Sequence, residues 1–131
     1  MENNKTNLIY PELSYKIIGV AFDIFNDLGF GHIEIYYQRA FAKKLEKLGI
    51  SFEREKRFSI CYEGDIIGTY ILDFLIDNKL VVELKVRPKI GYTHIKQVVS
   101  YLRSANLKLA IIIYFTKEGV KYRRIINANS N

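Results

Sequence analysis

Cysteine and histidine are scarce in this 131-residue chain, which holds one Cys, Cys61, and two His, His32 and His94. So few ligands exclude a disulfide framework and a Cys/His zinc cluster within one chain, and a reducing, cytoplasmic setting is expected. Long apolar runs are missing as well. The longest, Leu109 to Phe115, falls far short of the ~20 residues of a membrane-spanning helix. The opening Met1–Asn7 is polar and lacks the apolar core of a signal peptide, so neither secretion nor membrane insertion is expected. With no repeats, low-complexity stretches or internal linkers, residues 11–131 read as one domain behind a flexible N-terminal arm of residues 1–10.

Acidic residues are in deficit. Lys and Arg number 20 against 14 Asp and Glu, a formal charge of +6 and a pI of about 9.4, which favours polyanionic partners such as nucleic acid. Hydrophobic residues make up 49% of the chain, enough for one core.

Apolar positions Leu13, Ile17, Val20, Ala21, Ile24, Phe25 and Leu28 recur at helical spacing, and Gly29 supplies a stop. After the link Gly29-Phe30-Gly31, a second stripe of Tyr37, Phe41, Leu45 and Leu48 ends at Gly49. From Ser51 to Val86 the pattern changes to runs rich in Ile, Val, Phe and Tyr, broken at Glu63-Gly64-Asp65 and Asp77-Asn78-Lys79. This predicts three consecutive antiparallel strands. Ile95, Val98, Val99 and Leu102 mark a third helix starting near Gly91. A buried strand from Lys108 to Phe115 and a final strand from Val120 to Ile126 complete the chain. The order α-α-β-β-β-α-β-β predicts an α/β sandwich, a mixed sheet flanked by helices.

Three charges interrupt the otherwise apolar runs Tyr70–Ile76 and Leu80–Val86: Asp73, Glu83 and Lys85. Burying a charge without a partner costs several kcal/mol, roughly, so such groups pair, bind a metal or face a cleft. Period two puts Glu83 and Lys85 on one side of their strand. A two-residue loop at Asp77-Asn78 would pair Asp73 with Val82 and part the carboxylates, whereas a three-residue loop through Lys79 pairs Asp73 with Glu83. Like charges so placed destabilise a ladder by up to about 1 kcal/mol unless a cation lies between them. Mg²⁺ takes hard oxygen ligands and is typically held by one or two carboxylates plus phosphate oxygens, and a nearby lysine could orient water and neutralise developing charge. Glu34, by pattern alone, is also an ordinary first-turn acid favoured by the helix dipole. His94, Gln97 and Tyr101 share one face of the third helix, apart from its apolar stripe, and read equally as a solvent-facing stripe.

In order, these residues carry a resemblance. Gly31-His32-Ile33-Glu34-Ile35-Tyr36-Tyr37 matches the signature GxxExxY, and Asp73, Glu83-Leu84-Lys85 and Gln97 to Leu102 follow. From about Leu13 to near its C-terminus the chain resembles a GxxExxY protein of the PD-(D/E)XK nuclease superfamily, with Leu72 where the superfamily name has proline. The resemblance implies a restriction-endonuclease-like core with Asp73 and Glu83 as metal ligands, Lys85 as catalytic lysine, Glu34 as an auxiliary catalytic acid and Gln97 in the catalytic set. Tyr37, His94 and Tyr101 are candidates to line the site. The expected function is hydrolysis of phosphodiester bonds with Mg²⁺, or Mn²⁺ in its place, DNA being the expected substrate. Basic residues such as Lys43, Lys44, Arg54, Arg87 and Lys96 are candidates for the backbone-binding surface. No helix-turn-helix or zinc module is recognisable, so strong sequence specificity would need a homodimer or another partner. A second reading is a non-catalytic nucleic-acid-binding or protein-interaction module that retains this fold.

Overall fold

The computed structural model describes residues 9–128. The elements follow in the expected order: α1 (Pro11–Leu28), α2 (Glu34–Lys47), β1 (Phe52–Tyr62), β2 (Asp65–Ile76), β3 (Leu80–Val86), α3 (Tyr92–Ala105), β4 (Leu109–Thr116) and β5 (Gly119–Ile126). Of the expected N-terminal arm, residues 1–8 lie outside the described residues. Ile9 and Tyr10 are half-buried, and the Ile9 carbonyl accepts a 2.7 Å hydrogen bond from Arg124 Nη2 on β5. Among the described residues no helix is long and apolar enough to cross a membrane.

Helix α1 starts with Pro11, where the missing N–H has no helical acceptor to satisfy, and stops at Gly29, whose φ of 75° is left-handed. Leu48, expected on the buried stripe of α2, is 53% exposed. The helix ends one residue earlier, at Lys47, and Gly49 turns the chain away with φ 73°. Gln38 and Ala42 are buried on α2 instead.

Among the described residues five strands form one sheet in the order β1-β2-β3-β4-β5. Neighbours run antiparallel except β3 and β4, which are parallel from Leu80↔Leu109 to Val86↔Phe115. A parallel pair requires a crossover, and α3 supplies it. Alternation then divides the core. Leu80, Val82 and Leu84 of β3 and Leu109, Ile111, Ile113 and Phe115 of β4 pack against α1 and α2. Val81, Ala110 and Ile112 face Val98, Tyr101 and Leu102 of α3 on the other side. Each fully buried Leu, Ile or Phe here contributes roughly 1.5–3 kcal/mol.

Two irregularities position the polar residues. The β2–β3 hairpin pairs Ile76 with Leu80, Leu75 with Val81 and Phe74 with Val82, the register of the three-residue loop. Asp77 and Asn78 hold it with φ of 52° and 58°, and Lys79 N–H donates to the Ile76 carbonyl at 3.0 Å. Asp and Asn tolerate that left-handed backbone. Beyond Phe74↔Val82 the two strands no longer pair, so they part where Asp73 and Glu83 would next face each other.

The second irregularity is a roll of the β1–β2 hairpin. Period two should keep Tyr70, Leu72, Phe74 and Ile76 on one face. Phe74 and Ile76 pack in the α1–α2 core, but Leu72 and Tyr70 pack with α3. Across from them, Phe52 belongs to the first core and Phe58 to the second. The change falls at Glu55 and Asp73, where the ladder skips a pair and Glu55 has φ 52°. A left-handed backbone at a residue other than Gly costs about 1–2 kcal/mol. Glu55→Gly is therefore expected to raise stability by about 0.5–1 kcal/mol and Glu55→Val to lower it by more than ~1 kcal/mol in urea unfolding. The reverse order would contradict the roll.

Candidate functional site

Asp73 and Glu83 meet where β2 and β3 part. The Asp73 N–H donates to Glu83 Oε2 at 3.2 Å, and the Leu84 N–H donates to Asp73 Oδ2 at 2.8 Å. Each carboxylate thus accepts an amide of the opposite strand where a ladder would use carbonyls. Glu83 is only 2% exposed and Asp73 is half-buried. Burial raises both carboxyl pKa values, and repulsion from Asp73 adds to the rise for Glu83, which reaches about 7. The Leu84 amide and the charges of Lys85 and Arg54 pull Asp73 part of the way back.

Helices surround this pair. Glu34, at the first turn of α2, places Oε2 at 3.9 Å from Lys85 Nζ, and Gln38 Nε2 donates to the same oxygen at 3.3 Å. The Lys85–Glu34 pair is partly exposed and contributes little stability; it sets position. From the other side, His94 Nε2 of α3 lies 3.5 Å from Glu83 Oε1 without a formed hydrogen bond. Burial first, then the charges of Lys85 and Arg87, lower the His94 pKa, so the imidazole is neutral at neutral pH.

The structure brings Asp73, Glu83, Lys85, Glu34 and His94 together. Gln97 lies one turn along α3, exposed, and its side-chain hydrogen bond to His94 acts against the lowering of the imidazole pKa. Tyr101, expected on a polar face, is 4% exposed, packed in the second core, with a buried hydroxyl that has no hydrogen-bond partner. Burial and the Glu83 charge push its pKa up. Tyr37 does not line the site. Its ring is fully buried, stacked on Phe115 at 4.4 Å, and its hydroxyl donates to the Gly29 carbonyl at 2.5 Å. It fastens the link that delivers Glu34.

Three neighbours escaped the sequence reading as members of the site. Gln38 was legible as the i+4 partner of Glu34 on one helix face. Tyr70 lies against Glu83, and burial and that carboxylate raise its pKa. Alternation alone would have put Tyr70 on the face away from Asp73, because nothing in the pattern announces the roll. Arg54 sets its guanidinium 5.5 Å from the Phe74 ring centre and its charge acts on Asp73; it read only as one of many surface cations.

The donor set suits a hard divalent ion. No three His, Cys, Asp or Glu side chains converge as a ready ligand group among the described residues. Two anionic oxygen ligands with waters and substrate oxygens completing the shell are what Mg²⁺ typically accepts. A divalent charge would also offset the burial and the carboxylate repulsion behind both raised pKa values.

Residues 11–125 match a family model described as the PD-(D/E)XK nuclease superfamily. Among solved structures, the crystal structure of SSO0001 is similar with a TM-score of 0.52 and 20% identity, over 89% of this chain and 57% of that one. That likeness is one of fold. No curated protein matches the chain in sequence.

A pH signature follows from Glu83. Its pKa rises from an ordinary 4.5 to about 7 on folding, so its contribution to stability is full below about pH 4.5 and is lost as pH climbs through 7. His94 has the opposite sign: with a lowered pKa, its contribution is present at higher pH and is lost as pH falls through the folded value. Glu83→Gln removes the first effect together with the repulsion between Glu83 and Asp73. In metal-free protein the variant is expected to gain about 3 kcal/mol on the parent between about pH 4.5 and about pH 8 in urea unfolding, at ~1.4 kcal/mol per pKa unit. A difference independent of pH would contradict the burial of this charge.

Proposed function

The chain belongs to the PD-(D/E)XK nuclease superfamily, and on that premise we propose that it is a divalent-metal-dependent nuclease that hydrolyses phosphodiester bonds in DNA. The observation that carries the reading is the fork at Asp73 and Glu83, two buried carboxylates locked by each other's strand amides beside Lys85. Within the superfamily we place the chain in the GxxExxY group on Gly31, Glu34 and Tyr37. Each has a part in the fold that supports this placement, since Gly31 turns the link with φ 119°, Tyr37 fastens it, and Glu34 meets Lys85.

PD-(D/E)XK nucleases generally use divalent metals, and here Asp73 and Glu83 would hold Mg²⁺, or Mn²⁺ in its place. When bound, the ion polarises the phosphodiester and makes water a better nucleophile. The chain's own residues do the remainder. Glu83 is paired with Ile112 of β4, and the Leu84 and Asp73 amides hold Asp73 Oδ2 and Glu83 Oε2, so these oxygens are set before substrate arrives. Lys85 is the group to orient the attacking water and to neutralise negative charge that develops at phosphorus. Glu34, steadied by Gln38, holds the Lys85 ammonium in place. His94, neutral and half-buried, backs Glu83 without adding charge. Cations such as Arg87, Lys89 and Lys96 are exposed near the end of β3 and the start of α3 and supply phosphate contacts that read no sequence.

The test is cleavage of circular single-stranded DNA, duplex DNA and RNA by purified protein with Mg²⁺ or Mn²⁺. Asp73→Asn keeps an acceptor for the Leu84 amide and is preferred to Asp73→Ala for that reason. Asp73→Asn and Lys85→Ala are each expected to lower the rate by about 10²–10³-fold or more, and Glu34→Gln by about tenfold. Cleavage that survives Lys85→Ala would contradict the assigned site. Tight binding with no cleavage of any substrate, unchanged in both variants, would establish the non-catalytic module instead.

A further inference from the structure

A groove of about 350 Å³ opens between α3 and the rolled end of the β1–β2 hairpin. None of the residues lining it is charged, although the chain carries a formal +6. Its hydrogen-bonding side chains on α3 are those of Gln97, Ser100 and Ser104. Its aromatic wall is Phe58, Tyr70 and Tyr101, the last two stacked with ring centres 5.2 Å apart and Phe58 set edge-on to Tyr101 at 4.6 Å. The groove adjoins the carboxylates through its wall, since Tyr70 and Tyr101 both feel the Glu83 charge. His94, Gln97, Tyr101 and Ser104 follow along one face of α3 over about 15 Å at a rise of ~1.5 Å per residue, and His94 faces Glu83 while Tyr70 lies against it.

We propose that this groove receives an unpaired nucleobase next to the scissile phosphate, so that the preferred substrate is a single strand, a frayed end or a flap. The proposal rests on the nuclease reading and adds a substrate class to it. A phosphate is a poor occupant, since no cation lines the groove and Glu83 lies behind its wall. A nucleobase is uncharged and flat, and it carries donors and acceptors on its edge. Hydroxyls and an amide suit that edge, and the half-buried rings of Phe58 and Tyr70 suit its faces, with the buried Tyr101 behind them. The volume is at the low end of the ~300–1,000 Å³ of small-ligand sites, room for a base with part of its sugar. A base stacked inside a duplex cannot reach such a groove without unpairing, which costs a few kcal/mol, roughly, and single strands avoid that cost.

The experiment uses an oligodeoxynucleotide carrying 2-aminopurine, as a single strand and as a matched duplex, bound to the full chain without added metal so that the strand stays whole. Ser100→Phe fills the groove from an exposed position of α3. The parent is expected to bind the single strand more tightly and to quench the analogue. Ser100→Phe is expected to lose about tenfold in single-strand affinity, the order expected for one stacked base, with duplex affinity unchanged. If Ser100→Phe fails to fold, the double variant Ser100→Ala, Ser104→Ala removes two hydroxyls of the groove and is expected to weaken single-strand binding with duplex affinity unchanged. Unchanged single-strand binding in a folded variant would overturn the proposal, as would a parent dimer that Ser100→Phe dissociates, since a second copy would then cover the groove. Cleavage with Mg²⁺ is scored separately. Single-strand binding lost on filling the groove, in a parent that never cleaves, supports the base subsite and sinks the nuclease reading. A filled groove that leaves single-strand binding and metal-dependent cleavage intact does the reverse.

Discussion

At the fork between β2 and β3, two carboxylates stand in for two carbonyls, and the other features of the molecule adjust to that exchange. A buried main-chain N–H left without an acceptor costs about 1–3 kcal/mol. The Asp73 and Leu84 amides avoid that cost by bonding across the fork, the first to Glu83 and the second to Asp73. The strands can therefore part without stranding their backbones, and the polar side chains are fixed by the same bonds that let the sheet open. The cost moves elsewhere, into two acids whose burial and like-charged neighbours raise their pKa values.

Around the fork, three pieces of the fold deliver the remaining groups. The three-residue loop at Asp77–Lys79 sets the register that brings the carboxylates opposite each other. On the α1–α2 side, Tyr37 is buried for the sake of Glu34: its hydroxyl holds Gly29, and the link then enters α2 with Glu34 at the first turn. On the α3 side, the parallel crossover lays His94 beside Glu83. The roll at Glu55 and Asp73 carries the outer hairpin over to α3 and leaves an uncharged groove beside a charged site.

Much of this was legible in the chain because it follows from period and turn chemistry. Apolar spacing marked α1, α2 and α3, and the Asp-Asn-Lys loop admitted a register that paired Asp73 with Glu83. Glycines at 29 and 49 marked the helix ends, although Leu48 fell outside α2 since the helix stopped one residue before it. What escaped were long-range events without a local signature. The face change at Asp73 breaks strict alternation, so Tyr70 could not be placed near Glu83 by counting. Tyr101 looked polar by its place on the helical wheel and became core because the rolled hairpin brought Phe58 and Tyr70 over it. Arg54 reads as any cation on an edge strand until Phe74 and Asp73 are seen beside it.

Binding of Mn²⁺ to metal-free protein decides whether the fork at Asp73 and Glu83 holds a divalent cation. The free Mn²⁺ resonance signal and proton release are followed together near neutral pH, for the parent, Asp73→Asn and Glu83→Gln. The parent is expected to take up Mn²⁺ with release of protons, since burial and Asp73 raise the Glu83 carboxyl to about 7, and folded variants are expected to lose both the uptake and the protons. Equal uptake by all of them, or uptake by the parent with no proton released, would contradict this.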